Sequence, residues 1–390
     1  MPTSSSEYDV IVIGLGAMGS AAAYHLVRRG QRVLGIEQFT PAHAFGSSHG
    51  ATRIVRQAYF ERPDYVPLLR RTYELWDELS ADFGEPLFER CGALMIGLPD
   101  SPIVAGTLAS AQRWSLPHEV LDAAAMRGRF SQFALPDDQI AVFEANAGFA
   151  RAEASVLANI ELAIDLGADL WFDTEVESVE LGPGGVYITA ADETLVAPKA
   201  VIATGAWAPK LANLDQYSVA VTRQTVHWFD PVASVADFLP DKFPVFVWDW
   251  PVPDGQPPTE IYGFPYQQGD SGVKVGLYRD GTPADPDTVD RTVTDADASR
   301  LIDAISVALP TLAGNRLGGI ACMYAGVQDN DFVLGIHPGS SGRVVLAVGF
   351  AGHGFKFAPV VGEIVSDLVI DSATRHEIGF LAPTRLAETR

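Results

Sequence analysis

The segment Tyr8–Gln38, YDVIVIGLGAMGSAAAYHLVRRGQRVLGIEQ, decides how the rest of the chain is read. Val10 to Ile13 is a short β-branched apolar run, the composition of a parallel strand buried on both faces. Gly14, Gly16 and Gly19 follow it in G-x-G-x-x-G spacing. Ser20 to Arg29 has helical composition, with Gly30 as its stop, and Arg32 to Ile36 reads as a second strand closed by Glu37. Each glycine has a separate steric task in a dinucleotide-binding turn. Gly14 permits the bend, Gly16 lets the backbone approach a pyrophosphate, and Gly19 lets the helix lie close to the strand. The helix N-terminus presents free N–H groups and the positive end of its dipole to the phosphates. Glu37 stands where a carboxylate accepts the ribose hydroxyls of an adenosine. The pattern predicts a Rossmann-like α/β fold and leaves FAD and NAD both open.

Working outward, Leu166–Leu181 ends a helix at Gly167 and runs into a strand, and Leu195–Leu214 is a strand that breaks at Ala203-Thr204-Gly205. A strand followed by A-T-G-x-W is typical of two-domain flavoprotein oxidases. No second dinucleotide fingerprint is visible, which favours an oxidase passing electrons to oxygen over an NADPH-using flavoprotein. Residues 91–145 mix strand and helix signals. Residues 215–320 are rich in aromatics and prolines with period-2 alternation, which predicts a mostly antiparallel sheet. The expected organisation is an α/β, two-domain (α+β) protein. Its discontinuous FAD-binding domain covers 7–90, 146–214 and 321–385, and an inserted substrate domain covers 91–145 and 215–320. The stretch PDGQPPTE, 253–260, reads as a loop of freely variable length.

Bulk composition narrows the partners. The 390 residues are 47% hydrophobic and 19% charged, the balance of a well-cored globular protein. With 49 acidic against 27 basic residues the formal charge is −22, which excludes a nucleic-acid-binding face of clustered Lys and Arg. There is no apolar run long enough to span a membrane, no secretory leader and no peroxisomal tripeptide, so a cytoplasmic monomer is expected. Cys91 and Cys322 lie far apart, and a disulfide is the weaker reading. The eight histidines show no metal-ligand spacing. Against this acidity Gly46–Tyr59, GSSHGATRIVRQAY, holds His49, Arg53 and Arg56 with no acid among them. The segment is built to meet an anion. It also matches the G-x-S-x-G of a hydrolase elbow at Ser48, but it lacks the strand-to-helix context that chemistry requires.

These motifs together resemble the monomeric sarcosine oxidase family of flavoenzymes, whose relatives include N-methyltryptophan oxidase and pipecolate oxidase. The resemblance spans essentially the whole chain. It runs through the glycine fingerprint, GSSHGATRIVRQAY, A-T-G-x-W, YGFP…GVKVG (Tyr262 to Gly276), ACMY (321–324) and GFAGHGFKF (349–357). It implies FAD bound through Gly14, Gly16, Gly19, Glu37, Val176, Gly205, Gly354 and Lys356, and covalently tethered at Cys322. It further implies that His49 and Arg53 lie beside the flavin ring and that Lys274 activates oxygen. Arg56 and Lys356 would grip a substrate carboxylate, and Tyr262 would line the pocket. No side chain stands out as an obligatory general base, so the substrate amine is expected to react neutral. The implied activity is FAD-dependent oxidation of N-methyl or other secondary amino acids to an imine, with O2 reduced to H2O2. The alternatives are a flavin oxidase or dehydrogenase of a cyclic imino acid or an alcohol, and a flavin-binding protein with a sensing role. Three departures concern the substrate side: Tyr278 replaces the histidine of sarcosine-specific members, Ala51 replaces an acid, and the segment after Tyr324 lacks the usual threonine, proline and acid.

Overall fold

The computed structural model describes residues 7–211, 217–232, 234–250 and 259–389. Most of the PDGQPPTE stretch, and the 214/215 boundary proposed above, lie outside these residues. The strand Val10–Ile13 forms as read, and so does a second strand, Val33–Ile36. The helix starts earlier than its composition suggested, at Ala17, and runs to Arg28. Gly19 therefore sits inside its first turn. A Cβ built on Gly19 would lie 1.7 Å from the Gly14 carbonyl oxygen. Gly14 and Gly30 both have positive φ, so the turn into the helix and the turn out of it each use a glycine in the left-handed region.

Six strands form one sheet in the order Val333–Ile336, Val344–Val348, Lys199–Ile202, Val10–Ile13, Val33–Ile36, Asp169–Trp171. Every neighbour pair is parallel except the first. Alternation along the central strand explains its uninterrupted apolarity. Val10 and Val12 join the core beneath the helices Ala17–Arg28, Ala152–Asp165 and Ala358–Ile370, while Ile11 and Ile13 pack against an antiparallel meander at Val176–Ala197.

A nine-stranded sheet forms the second layer system. It joins Ala93–Gly97, Glu119–Leu121 and Ile140–Glu144 to Ala220–Phe229, Val245–Trp250, Thr259–Gly263, Val273–Tyr278, Thr282–Pro283 and Arg316–Gly326. Pairing is antiparallel apart from Val245–Trp250 on Ala93–Gly97. The 320/321 cut drawn from the sequence falls inside Arg316–Gly326, which pairs with Ala220–Phe229 over nearly its whole length. The strand bearing Cys322 therefore belongs to the large sheet. Between the two sheets a small one, Thr52–Val55, Gly148–Arg151 and Phe88–Arg90, anchors the basic segment.

Gly19→Ala forces a methyl group into the Gly14 peptide, an overpacking cost of about 3 kcal/mol or more. The expected outcome is a lower thermal midpoint together with a lower flavin content in the purified protein, because less cofactor is taken up. An unchanged melting curve with full flavin content would refute this account of the turn.

Candidate active site

Two cavities meet at the junction of the sheets. The larger, with about 1550 Å³ of empty space, is walled by Gly14, Gly16, Glu37, Val176, Gly205 and Gly354, six of the predicted cofactor residues. Gly19 is absent from its wall, because its work is done against Gly14. A Cβ on Gly16 would point into open space, meeting only the Ser48 hydroxyl at 3.3 Å. Ser48 accepts from the Ala17 N–H at 3.1 Å and so stands at the helix N-terminus as a polar partner rather than as a nucleophile on an elbow. Glu37 is buried and accepts the Leu15 N–H at 2.8 Å and the Phe39 N–H at 3.2 Å. A carboxylate offers about four acceptor positions; His43 Nε2 also lies 3.4 Å from Oε1, so at least one remains for a ribose hydroxyl. Thr204 contributes a buried hydroxyl without a hydrogen-bond partner to the same wall. Glycine cradle, helix N-terminus, spare acceptor and orphaned hydroxyl all fit an adenine dinucleotide.

The smaller cavity, about 750 Å³ of empty space, collects His49, Arg53, Arg56, Tyr262, Lys274, Cys322 and Lys356. Cys322 lines this cavity while its neighbours Met323 and Tyr324 line the larger one, so the strand carries the thiol to the boundary between them. Both cysteines are free; Cys91 is only half-buried and lies elsewhere, on a separate cleft. Burial raises the Cys322 thiol pKa, while Arg53, Lys274 and Arg223 pull it back down.

Lys274 is only 2% exposed, although a lysine on an alternating strand ordinarily faces solvent. Its ammonium donates to the Gly50 carbonyl at 2.7 Å and the Thr52 carbonyl at 2.9 Å, and lies 3.9 Å over the Phe264 ring. Burial lowers its pKa well below the usual value. Arg53 spends its guanidinium on carbonyls of its own loop: Thr52 and Ser47 at 2.8 Å each, and His49 at 2.5 Å. His49 is buried, its Nε2 has no partner, and desolvation with the Arg53 charge brings its pKa down to about 4, so the ring is neutral.

Arg56 and Lys356, 3% and 5% exposed, converge over the ring of Tyr59 at 4.4 Å and 5.1 Å from its centroid. Burial, reinforced by the Arg56 charge, brings Lys356 down to about 7. Sequence reading missed their neighbour Glu61, which accepts from Arg56 at 2.6 Å. Burial pushes the Glu61 carboxyl up, but the facing positive charges, Arg56 foremost, outweigh it and hold it at about 2. Tyr278, in the position where the sequence departs from the sarcosine-specific pattern, reaches the other Glu61 oxygen at 3.4 Å. His353 also lines this cavity; it bonds the Tyr59 hydroxyl at 2.5 Å and is pushed by burial down to about 3. Glu61 lies only five residues past Arg56, yet nothing in the sequence marks which way its side chain turns.

Comparison with known proteins places these residues in context. The profile of the FAD dependent oxidoreductase family matches residues 9–368. A monomeric sarcosine oxidase of Streptomyces avermitilis is 45% identical over 98% of this chain and 99% of its own length. An N-methyl-L-tryptophan oxidase of Salmonella heidelberg is 34% identical over 98% and 99% respectively. Among solved structures, the open form of NikD, an unusual amino acid oxidase essential for nikkomycin biosynthesis, superposes with a TM-score of 0.83 at 26% identity. That superposition covers 97% of this chain and 98% of NikD.

Removing one member of a buried ion pair costs about 3–5 kcal/mol, so Glu61→Ala is expected to lower the thermal midpoint by several degrees. Added acetate should restore part of the loss by occupying the vacated anion position, and should do little for the unsubstituted protein. Equal acetate effects on both would contradict an anion site shared by Arg56 and Lys356.

Proposed function

The chain belongs to the FAD dependent oxidoreductase family, and on that premise we propose that it oxidises the C–N bond of N-methyl or other secondary amino acids to an imine, with O2 reduced to H2O2. The observation that carries this reading is the pair of buried cations, Arg56 and Lys356, facing a cavity that abuts the dinucleotide cleft at Cys322–Tyr324. Two cations in a low-dielectric pocket demand an anion. A substrate carboxylate fits, with the Arg56 fork supplying bidentate geometry and Lys356 a second charge.

FAD supplies the two-electron acceptor when bound, held by the glycine cradle and Glu37 and, in our reading, tethered through Cys322. The protein's own residues bind, orient and tune. Glu61 occupies Arg56 and yields part of that contact when a substrate carboxylate arrives. Tyr262, Phe60, Phe264, Tyr278 and Tyr324 make the remaining wall largely aromatic. With Tyr278 in place of histidine and this aromatic lining, the pocket favours an aromatic N-methyl amino acid over sarcosine. Arg53 lines both cavities and neutral His49, with Nε2 unpaired, lines the smaller one beside it; with FAD bound they would favour its anionic reduced form. Lys274 uses two of its three N–H donors on carbonyls and keeps one for a water or oxygen beside the ring. We assign none of the described side chains lining the cavity the role of an obligatory base, and on that reading the substrate amine reacts in its neutral form.

Anaerobic mixing with sarcosine, N-methyltryptophan, other N-methyl amino acids, pipecolate, proline and the matching decarboxylated amines tests the assignment. Flavin absorbance should bleach with the acids and hardly with their amines, and N-methyltryptophan should outperform sarcosine. Bleaching by amines alone would refute the carboxylate clamp. Readmitted air should restore the colour with release of peroxide; colour restored only by an artificial acceptor would identify a dehydrogenase. After acid precipitation the yellow colour should stay with the protein, and Cys322→Ser should release it to the supernatant. Colour lost from the unsubstituted protein would end the covalent proposal.

Carboxylate affinity depends on protonated Lys356. In the free enzyme that charge is present below its pKa of about 7 and lost above it. The dissociation constant of a non-oxidisable monocarboxylate should therefore rise as pH climbs through 7, and Lys356→Met should flatten the profile. A flat profile in the unsubstituted protein would exclude this role.

A further inference from the structure

Glu153 lies outside every motif described above and lines neither cavity, yet it holds the turn on which Lys274 depends. It is the second residue of the helix Ala152–Asp165, where a carboxylate is favoured by the helix dipole. Its side chain accepts the Gly50 N–H at 2.5 Å and the Ala51 N–H at 3.0 Å. The Ala51 carbonyl in turn accepts from the Ala152 N–H at 2.8 Å. The turn is thus fastened to the first turn of the helix on both its donor and its acceptor side.

The turn needs that fastening. Gly50 has φ 97° and Ala51 has φ 69°, and for an alanine the left-handed region carries a steric cost. An aspartate or asparagine tolerates this conformation better because it bonds its own backbone; alanine brings no such side chain. The carbonyls flanking Ala51, those of Gly50 and Thr52, are the two that receive the Lys274 ammonium. Thr52 also receives Arg53. A rotation of the turn would therefore swing both lysine acceptors together.

We propose that Glu153 is the positioning residue for Lys274: by clamping the Gly50–Ala51 amides it aims the two carbonyls that orient the ammonium. The same carboxylate is also the foremost of the negative groups facing that ammonium: burial and then Arg53 disfavour its charge, while Glu153, Asp270 and Cys322 favour it. This inference rests on Lys274 serving oxygen reduction, as proposed above.

Glu153→Gln and Glu153→Ala in the flavin-loaded enzyme separate the two effects. Glutamine keeps an acceptor for the amides and removes the charge; alanine removes both. The rate of flavin reduction by substrate should stay near that of the parent. Reoxidation by air-saturated buffer should slow by about tenfold in the alanine variant. The pH at which reoxidation falls off should move down by about one unit in both variants, since a lost negative charge favours the neutral amine. Amide hydrogen exchange at Gly50 and Ala51, a readout independent of turnover, should quicken strongly in the alanine variant and little in the glutamine one. Equal slowing of both half-reactions would overturn the proposal, as would unchanged exchange at those amides. Lys274→Met serves as the reference. If it leaves reoxidation untouched, the reading of Lys274 itself fails and this inference falls with it. If it slows reoxidation while neither Glu153 variant does, only the inference falls.

Discussion

Burying positive charge is the constraint around which the site is organised. Lys274, Arg56 and Lys356 are each at least 95% removed from solvent, in a chain whose formal charge is −22. Unpaired, each would incur a desolvation penalty that few packing contacts could offset. The molecule answers in two ways. Lys274 and Arg53 are satisfied by backbone carbonyls of one turn, Ser47 to Thr52, which neutralise no charge and leave the local field positive. Arg56 is satisfied by a carboxylate, Glu61, which does neutralise it. Lys356 is met by the His353 carbonyl at 2.7 Å, so the half of the cavity around Arg56 holds two cations against the one carboxylate of Glu61.

The same constraint explains the small sheet between the two large ones. A turn that offers three or more carbonyls to cations cannot also bond those carbonyls in a regular ladder. It must be fixed from outside, and Thr52–Val55 pairing with Gly148–Arg151 does so on one side. Beyond the strand, Glu144 takes over: it is buried and accepts the N–H groups of Gln57 and Ala58 at 2.9 Å each. Glu153 holds the turn before the strand and Glu144 the turn after it. Both are acids from the neighbouring chain segment 144–153, so one stretch sets the positions of Arg53 and Arg56 together.

Much of the fold was legible because it rests on local rules. Glycine spacing, β-branched runs and Gly30 and Gly167 as helix stops are statements about a few adjacent residues, and these elements form close to where they were read, the first helix starting three residues early. Gly14 and Gly16, which wall the larger cavity, were legible for the same reason, whereas Val176, Gly205 and Gly354 on that wall followed only from the family resemblance. Legibility failed where a side chain's direction depends on a distant segment. Glu61 reads as one more acid in an acidic chain until the turn after Arg56 brings it back onto that arginine. Glu153 reads as a helix-start acid, a role it also has, and its second role exists only because Gly50 and Ala51 come to rest against it. The 320/321 boundary fell inside a strand for a related reason. Nothing local tells whether a strand joins a parallel or an antiparallel sheet, and Arg316–Gly326 is claimed by Ala220–Phe229.

Tyr278 shows how a departure from a family pattern acquires meaning only in three dimensions. As a sequence difference it says that one ring has replaced another. In the structure its hydroxyl reaches the Glu61 oxygen that Arg56 does not use, and its ring meets Tyr324 edge-on at 6.5 Å. A histidine there would present a shorter ring and a group able to carry charge beside Lys356 and Arg56. Tyrosine adds no charge, and burial keeps its hydroxyl protonated, so it can only donate to Glu61 or to whatever replaces it. The substitution thus leaves the anion-binding charges untouched and changes the shape and polarity of the space beyond them. Under the proposed carboxylate clamp, specificity for the substrate's side chain shifts in this way without a change at Arg56 or Lys356.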